Sequence, residues 1–199
     1  MRIIVRPTIS GSAIRVKIEN TLGQSPVVFS SAYIGQVQSG AALMPGTNIQ
    51  LTFNGSTSLT LAAFAGAYSD PVPFQVAAFT RYAISLDVNS ASDISAHAMG
   101  LVTNYMAVGA HAADVSAGAF ALVPNGDTGA PSGPTFPVYW VTALDVQSSS
   151  NAGTIVAFGD SITDGECSTR TSNGGVTGMV VPDLYNRWTD ILAARLTAS

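Results

Sequence analysis

Thr154 to Gly165 reads TIVAFGDSITDG, and the fold of the 199-residue chain turns on how that stretch is taken. Ile155, Val156, Ala157 and Phe158 form an apolar run without polar alternation. Such a run marks a strand buried on both faces, as parallel sheets contain. Gly159 and Asp160 end it, and Ser161 follows where a buried strand would reach the carboxyl edge of its sheet. Open α/β folds place their sites along that edge. The spacing therefore predicts a strand, a sharp turn and a serine presented as a nucleophile. Gly, Asp and Ser are also ordinary turn formers, so a plain turn is the competing reading of residues 159 to 161.

Downstream, Glu166 to Val181 is polar and Gly-rich, with Gly174, Gly175 and Gly178, and reads as a loop. Cys167, the single cysteine, lies within it and cannot staple the fold alone; with no histidine near it in sequence it reads as a spectator thiol. Leu184, Trp188, Ile191, Leu192 and Leu196 then fall at i, i+4, i+7, i+8 and i+12, one face of an α-helix, with Asp183 as its N-cap. A strand, a nucleophile turn and a helix are how an α/β domain opens.

Upstream the periodicity is that of strands. Ile14, Val16 and Ile18 alternate with Arg15, Lys17 and Glu19, which predicts a half-buried antiparallel strand over Ala13–Glu19, closed by a turn over Asn20–Gly23. Ile49, Leu51 and Phe53 alternate up to Asn54-Gly55, and Leu59 and Leu61 continue beyond it, which predicts a hairpin. Asp70 to Pro73 reads as a turn, Tyr82 to Val88 as another alternating strand, and Phe136 to Val146 as a last one. Strands at a spacing of about 8 to 12 residues predict an antiparallel sandwich or jelly roll. We place it over residues 1–147, with the start of the α/β domain over 148–199. The stretch 124–137, with four prolines and three glycines, is a connection inside the sandwich, and QSSSNAG, 147–153, is a short linker.

Charged residues make up only 10% of the chain against 47% hydrophobic ones, with a formal charge of −4 and one lysine. Phosphate binding needs clustered Lys and Arg, so a nucleic-acid partner is excluded by expectation. No apolar stretch approaches the ~18 residues of a membrane span. The uncharged, Ser- and Thr-rich surface this implies suits a secreted or periplasmic protein, although no signal peptide opens the sequence.

The residues Gly159, Asp160, Ser161 and Ile162, followed by Thr163, Asp164 and Gly165, resemble the first conserved block of the GDSL or SGNH hydrolases, with Ile where the family name carries Leu. Arg187-Trp188-Thr189-Asp190-Ile191-Leu192 is similar to the R-W-x-D-x-L run of a bacterial secreted group of that family, in which a β-sandwich module precedes the hydrolase domain. Val16, Ile18, Asn20 and Gly23 look like that module's V-R-L-S-N-x-x-G segment. The resemblance implies a serine esterase for short acyl or acetyl-carbohydrate esters, with no cofactor and no metal. Ser161 would be the nucleophile and its backbone N–H an oxyanion donor, while Gly159, Asp160 and Asp164 would support the loop.

The family's later blocks are not found. The 38 residues after Ser161 (199 − 161) hold no histidine, no G-x-N-D segment and no D-x-x-H. His97 and His111 are the two histidines; both fall in the sandwich, Asp93 precedes His97 by four, and neither is the expected base. The chain therefore reads as the N-terminal part of a hydrolase, inactive alone, either truncated or completed by a second chain carrying the remaining strands. An apolar face of residues 184–196 left in solvent would count against the second chain. The alternative is a noncatalytic β-sandwich binding module with a vestigial hydrolase start.

Overall fold

A computed structural model of the protein describes residues 1–123, 136–148, 152–165, 168 and 181–197. Cys167, the glycines of the 166–181 loop and nearly all of the 124–137 connection lie outside the described residues. Among those described, the strands are β1 (Arg2–Val5), β2 (Gly11–Glu19), β3 (Val27–Ser39), β4 (Ala42–Leu43), β5 (Ile49–Gln50), β6 (Leu59–Leu61), β7 (Gly66–Tyr68), β8 (Val72–Val76), β9 (Tyr82–Ser90), β10 (Ala96–His97), β11 (Tyr105–Met106), β12 (Ala121–Leu122), β13 (Val138–Tyr139) and β14 (Val141–Gln147). The helices are α1 (Ser161–Asp164) and α2 (Trp188–Thr197).

Two antiparallel sheets carry the architecture. The larger runs β12-β11-β1-β9-β3-β4, with β5 and β6 also on β3; the smaller runs β14-β2-β7, with β8 also on β2. The alternation of β2 sends Ile14, Val16 and Ile18 inward, each at most 2% exposed, and leaves Arg15 in solvent. They meet Phe29 and Ile34 of β3, Ile84 and Leu86 of β9 and Trp140 in one apolar core shared by both sheets. The expected antiparallel sandwich is this packing of two inner faces.

Several elements differ from the sequence expectation. Asn54 and Gly55 both take positive φ (51° and 78°) in a tight turn, but the flanking strands β5 and β6 pair with β3 and not with each other. The Asp70 carboxylate holds this turn, accepting from the Thr52 hydroxyl at 2.6 Å and the N–H groups of Asn54 and Gly55 at 3.0 and 2.8 Å. The strand expected over 136–146 breaks at Trp140 (φ 54°), so β13 pairs with β10 while β14 pairs with β2. The long strand β3 has no counterpart in the sequence reading, because Ser30, Ser31 and Gly35 interrupt its apolar pattern.

β9 is buried on both faces. Tyr82, Ile84 and Leu86 face the core, and Ala83 on the opposite face packs with Ile4, Leu43 and Val102, with Tyr105, Val115 and Tyr185 against them. Arg2 anchors that outer layer. Its buried guanidinium donates to Ser85 Oγ at 2.8 Å and to the carbonyls of Ala41 and Asp114, and lies over the Phe120 ring. Burial lowers its pKa to about 10, against the opposing pull of Asp114.

The α/β opening is not formed as expected. Residues 152–160 belong to no strand and are exposed throughout, with Phe158 99% exposed. A strand of this kind is stable only between neighbours that pair with it, and no strand among the described residues does so. The α2 helix starts at Trp188, not after Asp183, and buries none of its residues. Leu184, Trp188, Ile191 and Leu196 stay 44–53% exposed, so the structure gives the second-chain expectation no support.

Phe29 is 1% exposed and meets the Trp140 ring edge-on at 5.5 Å. Phe29→Ala is therefore expected to cost about 3–5 kcal/mol, read from urea unfolding midpoints at constant slope. The Thr52 hydroxyl, then the Gly55 and Asn54 N–H groups, hold the Asp70 pKa below its ordinary value. The stabilisation is thus present above the unfolded pKa of about 3.9 and fades as pH falls through the lower folded value. Asp70→Asn should lower the melting temperature at pH 7, and its gap to the parent protein should narrow as pH is taken below about 4.

Candidate active site

Ser161 is exposed and opens the four-residue helix α1. Asp160 stands before it in extended conformation, and its carboxylate accepts from the Ile162 N–H at 3.0 Å. This is an N-cap, which satisfies one of the donors a helix start leaves free. Gly165 closes the turn in the left-handed region at φ 90°, its N–H donating to the Ser161 carbonyl at 3.0 Å. A side chain at Gly159 would collide with Thr163, and one at Gly165 with Arg187. The pattern G-D-S-I-T-D-G thus has a steric reason for each of its glycines.

The turn is docked on residues 97–103 of the sandwich. His97 Nε2 lies 3.0 Å from Asp164 Oδ2. The Arg187 guanidinium donates to the Asp164 carbonyl at 2.6 Å and to the Gly100 and Met99 carbonyls at 3.0 and 3.3 Å. The Asp183 N–H donates to the Leu101 carbonyl at 3.0 Å, and its carboxylate accepts from the Thr103 N–H and hydroxyl at 2.9 and 2.6 Å. Asp183 is therefore a cap for the 103 segment and not for α2. At α2 the Asp190 carboxylate accepts from the Arg187 N–H at 3.1 Å, the half of a capping box that an acidic residue in the first turn supplies.

The docking holds strained backbone. Leu101, Asp183 and Tyr185 all take positive φ, 57°, 65° and 50°. Non-glycine residues in that region cost about 1–3 kcal/mol each and persist where surrounding contacts over-determine them. Tyr185 reaches into the layer over β9 beneath the Arg6 guanidinium, and burial pushes its phenol pKa up.

The structure places the expected residues unevenly. Asp160 braces the loop through a backbone N–H, whereas the Asp164 carboxylate goes to His97. His111 is engaged in its own loop, Nδ1 2.8 Å from Asp114 Oδ2 and Nε2 3.1 Å from the Val108 carbonyl. Among the described residues no three His, Cys, Asp or Glu side chains gather as a metal site would require. Sequence reasoning took Arg187 only as part of a run and missed its role. Its one signal was scarcity, as one of eight basic residues in the chain.

Asp160→Ala removes the acceptor for the Ile162 N–H. A lost N-cap is worth about 1 kcal/mol, so that amide should exchange with solvent about fivefold faster, while the melting temperature of the sandwich stays unchanged. Against known proteins, no family model matches the chain, and a search of curated proteins finds no match either.

Proposed function

We propose that the protein is the nucleophile-bearing part of a serine esterase of the GDSL or SGNH type, with Ser161 as the nucleophile. The observation that carries this reading is an exposed serine at the head of a tight helical turn, capped by Asp160 before it and closed by Gly165 behind it. A four-residue turn built for packing would bury a side chain, and α1 buries none.

In the proposed reaction the Ser161 hydroxyl attacks an ester carbonyl and loses its proton to a histidine. The tetrahedral oxyanion is stabilised by the Ser161 N–H, a first-turn donor without an intrahelical partner, together with further donors. Collapse expels the alcohol and leaves an acyl-enzyme, which water hydrolyses. The histidine, its aspartate and the further donors lie outside these 199 residues. His97 is not assigned as that base: its Nε2 lies 3.0 Å from Asp164 Oδ2, and it makes no hydrogen bond to Ser161 among the described residues. A short-chain carboxylic ester, acetylated sugars included, is the substrate class. A secreted or periplasmic setting is part of the same reading, and no described helix is long and apolar enough to cross a membrane.

The exposure of Ile155, Val156 and Phe158 favours a second reading, a noncatalytic sandwich module that keeps the remnant of a hydrolase start. A fluorophosphonate applied to the complete protein, which under the first reading carries the activating histidine, separates the two. Under the first, intact and peptide mass spectrometry find one adduct on Ser161, absent from Ser161→Ala; under the second, no adduct forms above the level of other exposed serines. In the complete enzyme Ser161→Ala is expected to lower kcat by several orders of magnitude, and retention of more than about a tenth of it refutes the nucleophile assignment.

A further inference from the structure

The contacts between the sandwich and the serine turn form an ordered series. Read along residues 97–103, they are His97 to Asp164, the Met99 and Gly100 carbonyls to Arg187, the Leu101 carbonyl to Asp183, and Thr103 to Asp183. Five of the seven residues from 97 to 103 thus bond to the two stretches that follow Ser161, Asp164 on α1 and residues 183–187. On the other side of the serine, residues 152–160 are exposed and outside every ladder. The described contacts that place Ser161 therefore reach it from its C-terminal side.

We infer that Arg187 is the positioning residue of the Ser161 turn, acting as a clasp that fastens α1 to the 97–103 strip of the sandwich. This rests on the reading of Ser161 as a nucleophile. The guanidinium is planar and carries donors in a fixed fork, so one group spans two surfaces: Nε serves the Asp164 carbonyl on α1 while a terminal nitrogen serves Gly100 and Met99 on the sandwich. The stem lies over Gly165, whose N–H is bonded to the Ser161 carbonyl. Displacing the guanidinium frees Gly165 and, through that bond, the serine itself. Asp190 fixes the near end of the clasp by accepting from the Arg187 N–H. The His97–Asp164 pair is a second fastening, 54% and 40% exposed, and so the weaker of the two. The sandwich is then not a passive brace: it sets where the nucleophile stands.

The inference is tested by fluorophosphonate labelling of the complete enzyme, where the histidine that activates Ser161 is present, and by hydrogen exchange on the 199-residue chain, comparing the parent with Arg187→Ala and Arg187→Lys. Two quantities are read: the labelling rate at saturation against the half-saturating probe concentration, and hydrogen exchange of the Asp164 and Gly165 amides. A displaced nucleophile loses rate and not probe affinity, since a misplacement on the order of 1 Å costs up to about a hundredfold. Both variants should label at least about tenfold more slowly with half-saturation within about twofold, and the two amides should exchange at least about tenfold faster while those of β9 are unchanged. Guanidinium ion at millimolar concentration should restore labelling of Arg187→Ala and not of Arg187→Lys, an outcome that general loosening would not produce. Exchange at Asp164 and Gly165 within about twofold of the parent overturns the clasp, as does an unchanged labelling rate. If the parent itself takes no label, the nucleophile reading falls, and amide exchange alone decides whether the clasp exists. Should Arg187→Ala fail to fold, Arg187→Lys keeps the stem and charge and decides the matter.

Discussion

The rest of the structure depends on β9 being buried on both faces. A central strand flanked by β1 and β3 needs cover above and below, and the two covers have different origins. On the inner face the second sheet supplies Ile14, Val16, Ile18 and Trp140. On the outer face the cover comes from irregular chain carrying Val102, Val115 and Tyr185, together with Tyr105 of β11. Irregular cover brings backbone groups that need partners, and Arg2 meets part of that need by donating to two carbonyls and a hydroxyl from a buried position. Unmade bonds at such a depth would be costly.

That outer cover connects the sandwich with the serine turn. Tyr185 is held over β9 from a segment that also contains Asp183 and Arg187, so the residues docking α1 and those sealing the outer face of the large sheet are the same short stretch. Positive φ at Leu101, Asp183 and Tyr185 is held by the contact itself: the Leu101 carbonyl and the Asp183 N–H and carboxylate are bonded across it, while Tyr185 is fixed by packing over β9, its hydroxyl buried without a hydrogen-bond partner among the described residues. The serine turn inherits its position from this arrangement. By contrast the apolar run before it, from Ile155 to Phe158, finds no cover and stays in solvent. The same chemistry that buries β9 leaves this run open, since burial is decided by what lies alongside and not by composition alone.

Local pattern was a good guide wherever one face of a strand is wet. In β2 the strict alternation of aliphatic and charged residues specified both the strand and its inward set, because a one-residue slip would expose all three aliphatic side chains. Asn54-Gly55 likewise specified its own turn, since both residues accept positive φ. The partners of the flanking strands were not legible: β5 and β6 each pair with β3, a choice made by the long strand and by Asp70 from 15 or 16 residues away. β3 itself was hidden by serines whose hydroxyls bond Asp87, so positions that read as polar interruptions are satisfied within the sheet.

At the candidate site the division is the same. The sequence by itself determined the turn: Asp160 bonded to the Ile162 N–H, Gly159 where a side chain would collide with Thr163, and Gly165 closing α1 in the left-handed region, all from interactions within seven residues. It also determined the antiparallel sandwich, through alternation repeated along the chain. Only the tertiary structure decided that Asp183 caps residue 103 and not a helix, that Asp164 faces His97, and that Arg187 joins Asp164 to Gly100. The contacts made to the 97–103 strip span 67 to 88 positions of sequence, and those of Arg187 and of the Asp183 N–H are accepted by backbone carbonyls. A carbonyl is present at every residue, so its place in the fold, not its identity, makes it a partner.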